Sequence, residues 1–138
     1  EEELEVLNRF EKNQPYDEVE PVISLSELVH MQKDVKNVFV DPTVKRYIVE
    51  LVNETRQHPF ISLGVSPRGT LLLMNAVKSF AYIRGRDYVI PDDVKYLAPF
   101  VCSHRIVINQ EALFTGKQAI EIIQELCEKV RVPIVKGS

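Results

Sequence analysis

The stretch from Leu63 to Gly85 constrains the fold more than any other part of the chain, because it predicts one long apolar helix with a sharp start. Ser66 is a favoured N-cap residue, and Pro67 suits the first helical position, where its missing N–H would have no partner anyway. Gly85 is typical of the residue that stops a helix. Most positions between these marks are apolar, and a helix that is apolar nearly all round is one that other helices surround. We therefore expect this helix near the centre of a helical bundle.

Arg68 is the odd residue of this helix, because a cation in the first turn opposes the helix dipole at a cost of roughly 0.3–1 kcal/mol. An anion bound at this end would meet the free N–H groups of Arg68 and Gly69 together with the planar guanidinium, and the penalty would become a gain. The alternative is that Arg68 pairs with a carboxylate of the same chain. Local physics leaves both interpretations open.

Composition places the chain among globular proteins with a hydrophobic core. Of its 138 residues, 45% are hydrophobic and 27% are charged, which predicts one ordered domain. The net charge of −3 argues against broad electrostatic capture of nucleic acid. No apolar run approaches the roughly 18 residues that a membrane span needs. Both cysteines fall in apolar helical patterns, which favours buried free thiols in a reducing cytoplasm over a disulfide.

Capping signals and apolar spacing predict further helices before the central one. A short amphipathic helix is expected over residues 1–12, and the prolines within residues 13–23 indicate an extended linker. A capping box starts the next helix at Ser24. Asp41, followed by proline, opens the clearest amphipathic helix, and a loop over residues 57–65 leads from it to the central one. The apolar face of this amphipathic helix has i, i+3, i+4, i+7 spacing and comprises Val44, Tyr47, Ile48, Leu51 and Val52.

The second half of the chain predicts three shorter helices. Acidic residues suit the first turn of a helix over residues 92–103, one turn of helix is expected over residues 109–113, and a last helix follows Gly116. The predicted fold is all-α, a bundle of about five or six helices, with the option of a tiny two-stranded patch. The two short runs that would pair in that patch are Val38–Val40 and Tyr88–Ile90.

The sequence lacks the motifs that catalysis by this chain alone would require. Gly64 and Gly69 have the separation of P-loop glycines, but Thr70 stands where the phosphate-binding lysine is needed. The three histidines fall on separate predicted elements without metal-ligand spacing, and His104 with Arg105 is typical of a pair that caps a helix end. The chain alone should therefore hydrolyse no nucleoside triphosphate.

Three motifs, in this order and spacing, together resemble the C-terminal lid of MoxR-type AAA+ ATPases. They are G-V-S-P-R-G-T-L-L-L from residue 64, G-R-D-Y-V-I-P-D-D-V from residue 85 and H-R-I-V-I from residue 104. Residues 41–56 are similar to the first long lid helix of that family, which ends in a Thr-Arg pair, and residues 1–10 resemble the last helix of the ATPase core. The resemblance implies three regions: the core helix plus a linker over 1–24, the helical lid over 25–132 and a tail over 133–138.

The resemblance also implies a role for the start of the central helix. In the family, the arginine of S-P-R is sensor 2, which contacts the terminal phosphates of the nucleotide and reports its state to the lid. By position this residue is Arg68, with Ser66 and Pro67 placing it, while Gly69 stands where the family usually has Ala. Tyr47, on the first lid helix, is a candidate to border the adenine. The resemblance leaves open whether Arg68 would act in its own subunit or on the nucleotide of a neighbour.

The family implies a larger assembly around such a lid. ATP with Mg²⁺ would be bound mainly by an upstream AAA+ core domain, and neighbouring subunits would form a ring. The expected activity is chaperone-like remodelling or maturation of other proteins, often beside partners with a von Willebrand factor A domain. Two alternatives do not use this resemblance: a self-contained helical module that binds protein or DNA, and a small enzyme, for which no convergent acid, base or nucleophile is found.

Overall fold

The structure, a computed structural model, describes residues 2–5 and 19–134. Residues 2–5 are helical, whereas the rest of the helix expected over residues 1–12 lies outside the described residues, as do much of the linker and the end of the tail. The chain divides into two compact units, and the division falls after Gln32. The limits of the implied core helix, lid and tail stay a prediction.

Ser24 starts helix α1 (Leu25–Asn37), as its capping box predicts. The Ser24 amide donates to the Glu27 carboxylate at 2.6 Å, and the Glu27 amide donates to Ser24 Oγ at 3.2 Å. These reciprocal bonds satisfy donors that the first turn of a helix leaves without partners. The bonds from Ser24 also hold the pKa of the Glu27 carboxyl below its usual range.

Helix α2 (Pro42–Gln57) begins at Asp41 and buries the predicted face. Asp41 Oδ1 accepts from the Thr43 amide at 2.7 Å, and the proline at position 42 takes the first helical position. The face continues one step further than predicted, to a polar residue, Thr55. The buried residues of α2 are Val44, Tyr47, Ile48, Leu51, Val52 and Thr55.

Helix α3 (Pro67–Ile83) begins at Ser66 and ends just before Gly85, which adopts a φ of 75°, so both predicted ends are confirmed. The expectation that other helices surround α3 is wrong. Only one stripe is buried, while Leu71 is 59% exposed and Ile83 is 77% exposed. The apolar composition permits burial on every side, but the described helices cover one side. The buried stripe is Gly69, Leu73, Val77 and Ala81.

Three further α-helices complete the bundle, and their order follows the sequence-based expectation. Helix α4 (Pro91–Cys102) lies against both α3 and α6 (Ala119–Lys129), and α2 contacts α3, α4 and α6. Asn109 starts α5, because its Oδ1 accepts from the Ala112 amide at 3.0 Å. Six α-helices between residues 19 and 134 confirm the all-α bundle. The remaining helices are α4 (Pro91–Cys102), α5 (Gln110–Phe114) and α6 (Ala119–Lys129), with a 3₁₀ turn at Ser103–Arg105.

One strand of a two-stranded sheet lies within residues 57–65, the segment for which the sequence predicts a loop. Strand β1 (Ile61–Leu63) pairs antiparallel with β2 (Val107–Ile108). The predicted pairing of residues 38–40 with residues 88–90 is confirmed only as one parallel bridge, between Phe39 and Tyr88. The loop prediction is therefore wrong at β1. Strands this short carry no periodic signal, and nothing local identifies a partner more than 40 residues away.

A buried ion pair joins the end of α3 to the start of α4. Asp93, only 3% exposed, accepts from Arg86 Nη1 at 2.9 Å and from Arg86 Nη2 at 2.6 Å. The same carboxylate accepts from the Ile90 amide at 2.9 Å and so satisfies one helix-start donor. The hydrogen bonds to Asp93 raise the pKa of Arg86. The sequence-based expectation that acids cap this helix is confirmed for Asp93.

Both cysteines are buried and free, as the apolar patterns predict. Cys102 ends α4, and Cys127 lies on the buried face of α6. In the part of the chain that the structure describes, every helix is too short or too polar to cross a membrane.

Candidate functional site

Ser66 builds the start of α3 through its side chain and its backbone. Its Oγ accepts from the Gly69 amide at 3.2 Å, and its carbonyl accepts from the Thr70 amide at 3.1 Å. The expectation that the Gly69 N–H is free for an anion is therefore wrong, because the N-cap side chain of Ser66 already binds it. The Arg68 side chain is exposed on this first turn. Among residues 2–5 and 19–134, Arg68 forms no salt bridge, so its pairing with a carboxylate of the chain is not found in the described part.

Arg68 opens onto a cleft of about 670 Å³ at the N-terminal end of α3. Two further guanidinium-bearing residues line the same cleft, Arg56 from the end of α2 and Arg105 from the 3₁₀ turn. Among the described residues, the lining contains no Asp or Glu. Three arginines without a lining carboxylate, beside the positive end of a helix, form an environment that attracts anions.

The two additional arginines are held by hydrogen bonds to backbone carbonyls. Arg56 Nε donates to the Val65 carbonyl at 2.9 Å, and Arg105 Nη1 donates to the Val101 carbonyl at 2.6 Å. The Arg105 bond goes to a carbonyl in the last turn of α4, which confirms the expected helix-capping role for this residue. These two bonds restrain the guanidinium groups of both side chains, so that their positive charges stay beside the cleft.

The segment before Ser66 is held by the end of α2. The Thr55 hydroxyl is buried, donates to the Val52 carbonyl at 2.6 Å and accepts from the Val65 amide at 3.0 Å. Gly64 lies so close to α2 that a Cβ there would be 2.7 Å from the Cα and N atoms of Arg56. Sequence reasoning missed this arrangement. The signal was present, since Thr55 continues the i, i+3, i+4 face of α2 and is the only polar residue on it.

Close packing against Val65 explains why residue 69 is a glycine in this chain. A Cβ at this position would lie 2.5 Å from Val65 Cγ1, and Val65 is fully buried. The first turn of α3 therefore packs directly on residue 65. A glycine allows an approach between backbone and side chain that alanine does not.

Tyr47 lies apart from this cleft. It is 1% exposed, and it contributes to a different cleft of about 440 Å³ between the first half of α2 and residues 131–134. Burial raises the pKa of Tyr47 to about 12, and its hydroxyl has no hydrogen-bond partner among the described residues. The helical rise places Tyr47 about 13 Å along α2 from Arg56. The structure thus brings together Ser66, Pro67 and Arg68 of the predicted site residues, and leaves Tyr47 elsewhere.

A comparison of the sequence with known protein families finds a match over the part of the chain that holds the start of α3 and the elements around it. Residues 53–126, which contain the whole cleft, match the AAA lid domain family. The chain belongs to the AAA lid domain family. Its relatives place this lid in the MoxR type of AAA+ proteins.

Two relatives align with nearly all of the chain. An uncharacterized protein of Bacillus subtilis (strain 168), YeaC, is 47% identical over 137 residues, which are 99% of this chain and 43% of YeaC. Chaperone MoxR1 of Mycobacterium tuberculosis is 32% identical over 146 aligned residues, which are 99% of this chain and 38% of MoxR1. The chain therefore spans less than half the length of these relatives.

A solved structure shows the same architecture. The crystal structure of a candidate ATPase from Cytophaga hutchinsonii superposes with a TM-score of 0.80 at 29% identity, over 96% of this chain and 43% of that protein. The likeness extends through the helical bundle that carries the cleft.

Proposed function

We propose that this lid couples the nucleotide state of an AAA+ ATPase core to movement of the assembled protein, and that Arg68 is the sensor 2 residue that contacts the terminal phosphates. One observation carries the proposal: an exposed guanidinium at the N-terminus of α3, without an ion-pair partner among the described residues, opens onto a cleft with no lining carboxylate. Such a site combines the Arg68 backbone amide, the helix dipole and a planar cation for the same anion.

The residues of the cleft fit a phosphate group. Ser66 takes the Gly69 and Thr70 amides and position 67 is a proline, so among the described residues the Arg68 amide is the first-turn donor left for an anion, beside the Arg68 guanidinium. Arg56 and Arg105, which line the same cleft, add two further positive charges. Bound ATP would supply a terminal phosphoryl group, and its loss on hydrolysis would remove the charge that Arg68 holds. The guanidinium would then be released and the start of α3 would be free to shift relative to the core.

The larger assembly remains part of the same proposal. An AAA+ core preceding this lid would bind most of the ATP and its Mg²⁺, and neighbouring subunits of a ring would receive the movement. The name Chaperone MoxR1 supports maturation or remodelling of other proteins as the activity. Von Willebrand factor A domain proteins as partners and a location in the cytoplasm rest on the family resemblance and are part of the same proposal. We place the lid at residues 25–132, after a core helix and linker and before a short tail. A contact between Tyr47 and the adenine stays a prediction, and the burial of its ring counts against direct stacking.

The decisive experiment changes Arg68 in the full-length protein that carries this lid. Arg68→Ala should lower the ATP turnover number on the order of 100-fold, as loss of a preorganised donor to a transferring group does. Nucleotide-dependent assembly should weaken as well, while the melting temperature of the lid stays unchanged because the side chain is exposed.

Arg84→Ala is the matched control. Arg84 is an exposed arginine at the other end of the same helix, where it lies 5.1 Å from the centre of the Phe80 ring. Its replacement should leave turnover within about twofold of the original protein, a bound set by the small effect of surface substitutions. Unchanged turnover and assembly in Arg68→Ala would overturn the sensor role.

A further inference from the structure

We infer that Thr55 and Arg56 are positioning residues for Arg68, because together they fix the backbone of Val65 and thereby the first turn of α3. The inference rests on the proposed function of Arg68 and adds the device that aims it. We call the Thr55 and Arg56 side chains, which are bound to the Val65 backbone, the Val65 clamp.

The Thr55 half of the clamp is oriented by its own two bonds. The hydroxyl hydrogen goes to the Val52 carbonyl at 2.6 Å, so an oxygen lone pair is left for the Val65 amide at 3.0 Å. Thr55 is 1% exposed, so water cannot substitute for either bond. A buried amide that loses its acceptor would be left unsatisfied, which makes this contact hard to replace.

The Arg56 half binds the other polar group of the same residue. Its Nε donates to the Val65 carbonyl at 2.9 Å, and its Nη1 donates to Asn53 Oδ1 at 3.1 Å. The Val65 side chain is fully buried. Amide, carbonyl and side chain of Val65 are therefore all engaged, and residue 65 can move only together with α2.

Two contacts carry this restraint onward from Val65 to Arg68. Ser66 follows Val65 directly and holds the Gly69 amide through its Oγ at 3.2 Å. Gly69 in turn lies against the Val65 side chain, as the 2.5 Å approach of a hypothetical Cβ shows. In the chain, Arg68 therefore lies between Ser66 and Gly69, which are both tied to Val65. A misplacement of about 1 Å in a catalytic group lowers rates up to about 100-fold, so this rigidity has a functional consequence.

The test uses the full-length ATPase with four variants: Thr55→Val, Thr55→Ser, Arg68→Ala and the Thr55→Val/Arg68→Ala double variant. Thr55→Val keeps the shape of the side chain and removes the hydroxyl, and we expect kcat to fall about tenfold. Thr55→Ser retains the hydroxyl and should restore kcat to within about twofold. In the Arg68→Ala background, Thr55→Val should have no further effect, because residues that act as one unit are not additive.

Thr115→Val is the matched control. Thr115 Oγ1 donates to the Ala112 carbonyl, three residues earlier, at 2.9 Å, as Thr55 does to Val52. It lies at the end of α5 and does not line the cleft. Its kcat should match that of the original protein.

Hydrogen exchange in the absence of nucleotide gives a readout besides activity. The amides of Gly69 and Thr70 bond to Ser66, so we expect Thr55→Val to speed their exchange about tenfold, while Thr115→Val leaves it unchanged. Arg56→Lys is a second variant at an exposed position that keeps the cleft charge and removes the Nε donor. It should lower kcat several-fold, and only when Arg68 is present.

The outcomes separate the inference from the proposal on which it rests. If Arg68→Ala retains full activity, the sensor role itself is overturned. If Arg68→Ala is impaired but Thr55→Val lowers kcat equally in both backgrounds, only the positioning role is overturned. Wild-type kcat and exchange in both Thr55→Val and Arg56→Lys would have the same meaning.

Discussion

Replacement of Gly64 by Ala should destabilise the lid, although glycine-to-alanine changes in unstrained positions usually stabilise. The usual gain, about 0.4–1 kcal/mol, comes from reduced freedom of the unfolded chain. In this fold the added Cβ would lie 2.7 Å from three atoms of Arg56, namely Cα, N and Cγ, whereas ordinary contact begins at 3.4 Å. Each pair therefore has to separate by about 0.7 Å, and two of the three atoms belong to the backbone of α2.

The size of the effect follows from this shortfall. Overpacking by a methyl group in a tightly packed place costs about 1–3 kcal/mol, and subtraction of the entropic gain leaves a net loss of about 1–2 kcal/mol. For a domain of this size, that loss corresponds to a fall in melting temperature of about 4–8 °C. Thermal unfolding followed by circular dichroism at 222 nm measures it directly.

A second variant shows which atoms cause the loss. Arg56→Ala removes Cγ but leaves Cα and N, so Gly64→Ala should be as harmful in the Arg56→Ala background as in the original protein. A melting temperature for Gly64→Ala equal to or above that of the original protein would refute the steric argument. Full rescue by Arg56→Ala would show that the contact with a flexible side chain, and not with the backbone, was limiting.

Two further predictions concern groups away from the cleft. Asp93→Asn should lower the free energy of unfolding by about 2–4 kcal/mol, because it breaks a nearly buried ion pair with Arg86. Asp92 is an exposed acid in the same turn, and Asp92→Asn should change that free energy by less than about 0.5 kcal/mol. Urea unfolding measures both. Burial lowers the pKa of His58 below its usual 6.5, and His58 Nδ1 accepts from the Phe60 amide at 3.2 Å. The unfolded chain therefore binds a proton at higher pH than the folded one, and this contribution to stability is complete above pH 6.5 and lost as the pH falls below it. Urea unfolding at a series of pH values should show this loss, and His58→Gln should reduce it; an identical pH profile in that variant would exclude His58 as the cause.

The local features of the fold were predictable because the residues that determine them are neighbours. Ser66, Asp41 and Asn109 each cap a helix through a side chain that reaches two or three residues along the chain. Such contacts depend on sequence spacing alone. The same holds for the buried face of α2.

The candidate site was predictable only in part, because it depends on distances between segments. Arg68 was visible as a cation at the wrong end of a helix, but the arrival of Arg56 and Arg105 at the same cleft depends on how α2 and the 3₁₀ turn pack. The sheet between β1 and β2 is a second example, since its partners are far apart in sequence. The exposed face of α3 is a third example. Apolar residues such as Leu71 and Ile83 indicate that this face can be buried, but the sequence does not show whether another segment covers it.

The two buried cysteines can report when the helices of the lid separate. Burial raises the pKa of both Cys102 and Cys127 to about 11, so at neutral pH almost none of either thiol is in the reactive thiolate form. Cys102 ends α4, just before the 3₁₀ turn that carries Arg105, and Cys127 lies on α6, which packs against α4. Modification of these thiols by an added reagent therefore requires the helices to separate, and its rate measures that opening in a chain of unaltered sequence.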